Sequence, residues 1–580
     1  MTARYLLITG RTNSRLLEMP TTRAGLSLVW SGENLLLAAG AGDLATDPDA
    51  EIAVVGKLFS RIDNRPLQQF DGAARKEIIR SEGQWLLDHC WGAYVAVIAE
   101  SGRRAVSVIR DPSGMLACYH CAIGDGCVAV TNEPELLSGA GLVSCWVDWT
   151  ALARHLRSGD FRGTHTCLEG LDELLPGCRL TLGAQREMEP LWSPWAHVGP
   201  DQRLQRESAA ALLSRTVGNC ITAWARSYDQ ILMGISGGLD SSIVLAALKS
   251  AHVKPSLYTL ATAGPGGDER GYARLAAEHC GYDVAEQFFD ISAVDPRRSH
   301  AAHLPRPTGN YFIQAIEAAV KGIFARMDRD DRRAIFSGGG GDNIFCYAHS
   351  ASPVVDRWLR EGFGAGLFAT ARDIHRVTGA SLPAIVTKAL GKRWGRDKGY
   401  RWKGDDLFIA TSAVGTEPLS FNHPWLDAPH DALPGKALHV ALLLRFHNHL
   451  ERHRRLDFPP TIMPLLSQPI VELCLSIPSW RWYEGGVNRS VARQAFADRL
   501  PEALIRRTSK GRPDSFILEI FGRHRAVLRE MLHDGVLHRH GIIDIEAIDT
   551  VLMSANPHHR HQLRVLELGN AEAWGRKWSA

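Results

Sequence analysis

Between Gln230 and Phe345 two kinds of pattern take turns. Apolar runs such as QILMGI, SLYTLATA, VAEQFFDI and RRAIF read as strands. Between them, DSSIVLAALKSA, DERGYARLAAEHCG and YFIQAIEAAVKGIFARM carry helical spacing. Parallel strands need long crossovers, and helices in those crossovers cover the sheet. The alternation therefore predicts an α/β fold with a doubly wound parallel sheet. Ligands of such sheets sit beyond the carboxyl ends of the strands. Two glycine-rich stretches fall at such ends: GISGGLDSS (Gly234–Ser242) and SGGGGDN (Ser337–Asn343).

In the first stretch, Ser236, Gly237 and Gly238 can present successive backbone N–H groups to one point. The N-terminus of the helix that opens on Asp240, Ser241 and Ser242 adds positive partial charge. That suits a phosphate. No GKS or GKT follows, so it is not a Walker A loop. Asp240 would repel a bare phosphate, and a magnesium ion between carboxylate and phosphate removes the conflict. An ordinary strand-to-helix turn is the plainer reading. The second stretch has the same two readings: a flexible surface loop, or a backbone cradle for an anion with Asp342 as a metal-binding carboxylate.

The chain has 580 residues, more than one core accommodates. Residues 1–195 read as a β-rich layered domain from runs such as AEIAVVGKLF and GAYVAVIAE. The breaker-rich EPLWSPWAHVGPDQ marks a boundary, and 203–580 forms a second domain with a helical final third. A formal net charge of +3 points neither to nucleic acid nor to an acidic membrane surface, although RHRR (Arg452–Arg455) is locally basic. No run approaches the length of a membrane span, and no secretory signal opens the chain. Eleven sparse cysteines fit a reducing cytoplasm. Cys118, Cys121 and Cys127 form a local cluster, read as thiols rather than a zinc site because no second CxxC pair follows. HNHLERH reads as helical, with His449 and His453 one turn apart, but no HExxH supports a metal there.

SGGLDSS resembles the pyrophosphate loop of ATP pyrophosphatases, the group that includes asparagine synthetase. The resemblance implies ATP and Mg2+ as cofactors, bound through Gly234, Ser236, Gly237, Gly238, Leu239, Asp240 and Ser241. Relatives resembling asparagine synthetase carry a second loop, Ser-Gly-Glu-Gly-x-Asp-Glu. By that match Ser337 and Gly338 would contact the nucleotide. Asp342 would share the metal with Asp240 and be catalytic. The glutamate that acts as base in asparagine synthetase is replaced by Gly339, which leaves room for a bulky nucleophile. MPLLSQPIVELCLSIP resembles a further family stretch, with Ser467 where Asp is usual. NRSVARQAFADRLPEALIRRTSKGRPDSF resembles the region ending in the transition-state lysine, here Lys510.

RDPSGM and LDELLPGCRL make residues 1–195 resemble the glutamine amidotransferase half, of the type with an N-terminal nucleophile. Thr2 stands where that half has its catalytic cysteine. The resemblance thus implies a degenerate scaffold without glutaminase activity. Thr2 as an N-terminal nucleophile is the other reading.

SGGGGDN followed by FC, together with HPWLDAPHDALPGKALHV, most resembles the lasso peptide cyclases, which are macrolactam synthetases. That branch implies a precursor peptide as substrate, with a leader peptidase and a leader-binding protein as partners. The expected reaction adenylates an Asp or Glu side chain and closes an isopeptide ring with the peptide's α-amine. Asparagine synthetase or another small-molecule amide or β-lactam ligase is the first alternative. A non-catalytic peptide-binding scaffold is the second.

Overall fold

The computed structural model describes the chain apart from residues 1–2, 11–24, 33, 41–43, 48–50, 100–104, 125, 184–185, 200–201, 263–267, 326, 328–331, 396–398, 415–418, 452, 509–513 and 580. Among the described residues, twelve strands come first: β1 (Tyr5–Thr9), β2 (Leu26–Gly32), β3 (Leu35–Gly40), β4 (Leu44–Thr46), β5 (Ile52–Ser60), β6 (Cys90–Ile98), β7 (Val106–Arg110), β8 (Tyr119–Gly124), β9 (Cys127–Thr131), β10 (Leu171–Glu173), β11 (Cys178–Leu182) and β12 (Arg186–Pro190). They pair as two six-stranded sheets, ordered β10-β8-β9-β1-β3-β2 and β12-β11-β7-β6-β5-β4. Alternate residues split between layers, as strand geometry requires. Tyr5, Leu7, Val55, Val95 and Val108 fill the space between the sheets. Leu6 and Ile8 turn outward to Leu152, Phe516 and Trp574, whereas Ile52, Val54 and Ala96 join a core with Ile78, Leu86 and Leu212. The result is a helix–sheet–sheet–helix stack.

The third sheet contains β13 (Gln230–Gly234), β14 (Ser256–Ala261), β15 (Val284–Phe288), β16 (Arg333–Phe336) and β17 (Thr461–Ile462). Every pair is parallel, and the order is β15-β14-β13-β16-β17. Both faces are covered. Ile231, Met233 and Phe336 pack with Leu213, Ile243 and Ala276, from three helices on one side. Leu232 and Ile335 pack with Val320 and Phe324 on the other. Strand order reverses between β13 and β16, the place where an open parallel sheet leaves a ligand crevice.

Most expected elements appear where the sequence put them. DSSIVLAALKSA, DERGYARLAAEHCG and YFIQAIEAAVKGIFARM hold the helices Leu239–Ser250, Arg270–Cys280 and Phe312–Phe324. Two further helices, Trp149–Ser158 and Ala209–Ala225, start on Asp148 and Ser208, whose side chains accept the Ala151 and Ala211 N–H groups. EIIRSEGQWLLDHC keeps helical spacing in its apolar residues throughout, yet it falls into two helices, Gly72–Arg80 and Gln84–His89. Glu82 and Gly83 break it, both with positive φ. HNHLERH is not one helix either. The α-helix ends at Phe446, a single 3-10 turn covers His447–His449, and His453 instead pairs with Glu317 at 3.0 Å.

Two features join the front sheets to the rest. The cores that include Ile8 and Val54 both extend past residue 195 into the later helices. In addition, Glu173 lies buried among three arginines. Arg110 donates at 2.7 Å, Arg162 at 2.8 Å and Arg306 at 2.5 Å. Arg162 also donates to Glu451. Burial alone would raise the Glu173 pKa, but Arg162, Arg306 and Arg110 outweigh it and hold the carboxyl well below its usual range. Glu472 makes a second link by accepting two bonds of 2.7 Å from Arg61. No helix among the described residues is long and apolar enough to cross a membrane.

Candidate active site

The first glycine stretch leaves β13 and turns into the helix Leu239–Ser250. Gly237 has φ +64°, and a Cβ there would fall on the Tyr272 backbone and 2.6 Å from the Ala273 nitrogen. Only glycine fits both the conformation and the space. The Ser236 hydroxyl accepts the Gly238 N–H at 3.3 Å and lies 3.3 Å from the Ser241 hydroxyl. Leu239 buries its side chain in the core beneath, so it offers a ligand only its backbone. Asp240 and Ser241 stand buried in the helix's first turn.

The second stretch leaves β16 alongside. The Ser337 N–H bonds to Ile462 of β17, and its hydroxyl accepts the Gly339 N–H at 3.1 Å. Gly340 has φ +86° and leads into the single turn Gly341–Ile344. Here the glycines answer a packing demand. A Cβ at 338 would lie 2.5 Å from the Ser241 amide nitrogen, and one at 341 would overlap the Asp240 carboxyl group. The two loops therefore touch through glycine, backbone on backbone and backbone on carboxylate. Gly339 is different. Its Cβ direction is closed by Phe446 Cζ at 3.1 Å, Ser337 Oγ at 3.3 Å and Met463 Sδ at 3.5 Å. The room expected there is already filled by an aromatic ring and a thioether.

Asp240 and Asp342, 102 positions apart in the chain, meet at one cationic group. Arg489 Nη1 donates to both Asp240 oxygens, at 3.0 and 3.1 Å, and to Asp342 Oδ1 at 2.5 Å. Arg489 has φ +54°, uncommon for a side chain of its size, and its guanidinium lies over the Tyr347 ring at 5.2 Å. Arg493 anchors the turn by donating to the carbonyl oxygens of Asn488, Ile505 and Arg507. Burial, and then the neighbouring Arg489, lowers Arg493 to about 10. Arg507 donates to the Gly237 carbonyl at 3.0 Å and to Glu269 at 2.5 Å, with its guanidinium 3.9 Å above the Tyr272 ring. Arg489 and Arg507 thus bind the two glycine loops directly, and Arg493 holds the turn that carries Arg489.

Gly234, Ser236, Gly237, Gly238, Leu239, Asp240, Ser241, Ser337, Gly338 and Asp342 lie together on these loops. Lys510 and Thr2 lie outside the described residues. Sequence reasoning did not single out Arg489, Arg507 or Phe446. The first two sit in the stretch quoted for Lys510, but no local spacing within it marks either as a partner of the glycine loops. The thiols Cys118 and Cys121 fall into different cores, and burial pushes each up to about 12. Among the described residues no group of three or more His, Cys, Asp or Glu could hold a metal. A magnesium ion makes a smaller demand, one or two carboxylates with phosphate oxygens completing its shell. Two hard oxygen donors converging on a single positive group fit that requirement.

Residues 211–576 match the family described as asparagine synthase. The chain belongs to the asparagine synthase family. As a member it is an ATP-dependent, amide-forming ligase. No curated protein matches it. Two solved structures align with it weakly. "Structure of the allosteric regulatory enzyme of purine biosynthesis" has 10% identity, covers 68% of this chain and 93% of the other, and has a TM-score of 0.23. Glutamine phosphoribosylpyrophosphate amidotransferase from B. subtilis, complexed with ADP and GMP, has 11% identity, 68% and 94% coverage, and a TM-score of 0.21. Scores at this level establish no common fold.

Within the asparagine synthase match, Ser467 is a buried connector. Its hydroxyl accepts the Trp224 indole N–H at 3.0 Å and donates to the Pro464 carbonyl at 2.6 Å. This fixes the turn that follows β17, next to the second glycine loop.

Proposed function

We propose that this ligase closes a macrolactam in a precursor peptide, as a lasso peptide cyclase. In the first step an Asp or Glu carboxylate of the peptide attacks the α-phosphorus of ATP. The bond to pyrophosphate breaks and an acyl-adenylate forms. In the second step the peptide's own N-terminal amine attacks the acyl carbon. The C–O bond to AMP breaks, an isopeptide bond forms and the amine loses a proton.

The observation that carries this reading is Gly339. An ammonia-using enzyme is expected to have a base there, but the neighbours of Gly339 are a ring, a hydroxyl and a thioether. An α-amine needs less help, since its pKa of about 7.7–8.0 leaves a useful neutral fraction near pH 7. Tethering both reacting groups in one peptide contributes up to roughly 7–11 kcal/mol of the barrier.

In this reading the backbone N–H groups of Ser236, Gly237 and Gly238 hold the pyrophosphate, while Ser337 and Gly338 border the nucleotide. Arg489 and Arg507 supply positive charge near the developing negative charge, and Lys510 does so at the reacting phosphorus. Asp240 and Asp342 would hold magnesium, whose charge, when bound, offsets that of the phosphates. Residues 1–195 are proposed as a degenerate amidotransferase-type scaffold. A leader peptidase and a leader-binding protein are the proposed partners. The proposed setting is the cytoplasm, in keeping with eleven free cysteines.

The test is pyrophosphate release from Mg-ATP with a candidate core peptide, read together with the peptide's mass. The expected result is release coupled to loss of one water from the peptide. Release with aspartate and ammonia but not with peptide would make the chain an asparagine synthetase. No release with any carboxylate would make it a binding scaffold.

A further inference from the structure

Thirteen large apolar side chains stand exposed among the described residues, and six of them fall between Leu359 and Trp394. Three of the six are aromatic and protrude: Phe363 is 73% exposed, Trp394 67% and Phe368 58%. They are contiguous. Phe363 lies 5.4 Å from Phe368 and 6.3 Å from Trp358, and Trp358 lies 5.8 Å from Trp394. Phe363 occupies the tip of the turn between the helices Ser352–Glu361 and Ala365–Thr378, with Gly362 and Gly364 on either side. A chain of this size rarely leaves such a cluster uncovered unless something docks on it.

The charge beside the cluster is one-sided. The whole chain has a formal net charge of +3, yet residues 352–395 alone carry seven Lys or Arg against three Asp or Glu, a net of +4. Of the three acids, Asp356 is buried and Glu361 is tied to Arg357 at 2.7 Å. The helix Leu382–Trp394 carries Lys388, Lys392 and Arg393 with no acid, and it exposes Leu382 and Val386 as well. An occupant must therefore be anionic and accept separate protruding rings. A protein partner would need a matching hollow for each ring. A bilayer interface accepts aromatic rings at headgroup level without one and attracts the surrounding cations.

We infer that the aromatic tip around Phe363 and the cationic helix Leu382–Trp394 dock the enzyme on an anionic lipid surface. This inference is independent of the reaction the crevice performs.

The test sediments full-length protein with vesicles of phosphatidylcholine alone and with vesicles containing phosphatidylglycerol. Wild type is expected to pellet only with the anionic vesicles, and less as salt rises. Phe363→Ser with Trp394→Ser should abolish pelleting. Lys388→Gln with Lys392→Gln should weaken it roughly 30-fold. Unchanged thermal midpoints would establish that both variants remain folded. Wild type that stays in the supernatant with anionic vesicles overturns the inference, as do folded variants that pellet like wild type. Concentration-dependent dimers that Phe363→Ser abolishes, without vesicle binding, would make the occupant a second copy and overturn it too.

Discussion

The backbone of Gly338 lies so close to Ser241 that a single methyl group on residue 338 would sit 2.5 Å from the Ser241 nitrogen. The obstacle is backbone at the start of a buried helix, so it cannot rotate away. Gly338→Ala is expected to cost about 1–3 kcal/mol. Gly339→Ala, which meets the movable edge of Phe446, should cost less. Thermal midpoints of the two variants check the order, and equal losses would contradict it.

Arg489→Gln removes the positive group shared by Asp240 and Asp342. With one partner of a buried ion cluster gone, stability should fall by roughly 3 kcal/mol. If the two carboxylates are the magnesium ligands, added Mg2+ should restore stability to the variant more than to wild type. A melt of both proteins with and without Mg2+ reads this directly. Equal responses would separate the carboxylate pair from the metal.

Asp240→Asn and Asp342→Asn test the same pair from the other side. Each should lower ATP-dependent pyrophosphate release by at least about 100-fold. Retained activity in either variant would remove that residue from the site.

Stability should also fall on mild acidification. Burial lowers His155, His423 and His439 to about 3, and His120 and His303 to about 4. These folded values lie below the unfolded value near 6.5, so their neutral forms stabilise fully above about pH 6.5 and lose that contribution as pH falls. Each costs about 1.4 kcal/mol one pH unit below 6.5. Asp111 and Asp356, raised to about 6 by burial, oppose this, since their ionised forms destabilise the fold. Five groups against two decides the sign. Denaturant midpoints near pH 7.5 and near pH 5.5 check it, and a higher midpoint at the acidic value would reverse the argument.

The parts of the site that could be read in the sequence are those written in short-range code. Ser236, Gly237, Gly238 and Asp240 are neighbours, and the strand and helix patterns on either side say which way the loop points. Arg489 could not be read that way. Its position depends on an unusual backbone turn 249 residues from Asp240, and nothing in local spacing reports that. Likewise β17 is only Thr461–Ile462, too short to have a period, although it closes the sheet next to β16. The break at Glu82 was hidden because the flanking apolar residues continue helical spacing across it. The run HNHLERH misled for the opposite reason: its composition suits a helix, while the chain leaves the helix at Phe446.

Glu173 joins Arg110 and Arg162 of the front half to Arg306 of the later half, and Arg162 in turn reaches Glu451. Cutting the chain between the halves would strand Arg306 without Glu173 and Glu451 without Arg162, and would uncover the apolar cores that Ile8 and Val54 share with the later helices. A fragment starting at residue 203 should therefore be insoluble even though it holds both glycine loops. The front sheets persist as load-sharing masonry for the crevice, whatever chemistry they do or do not perform themselves.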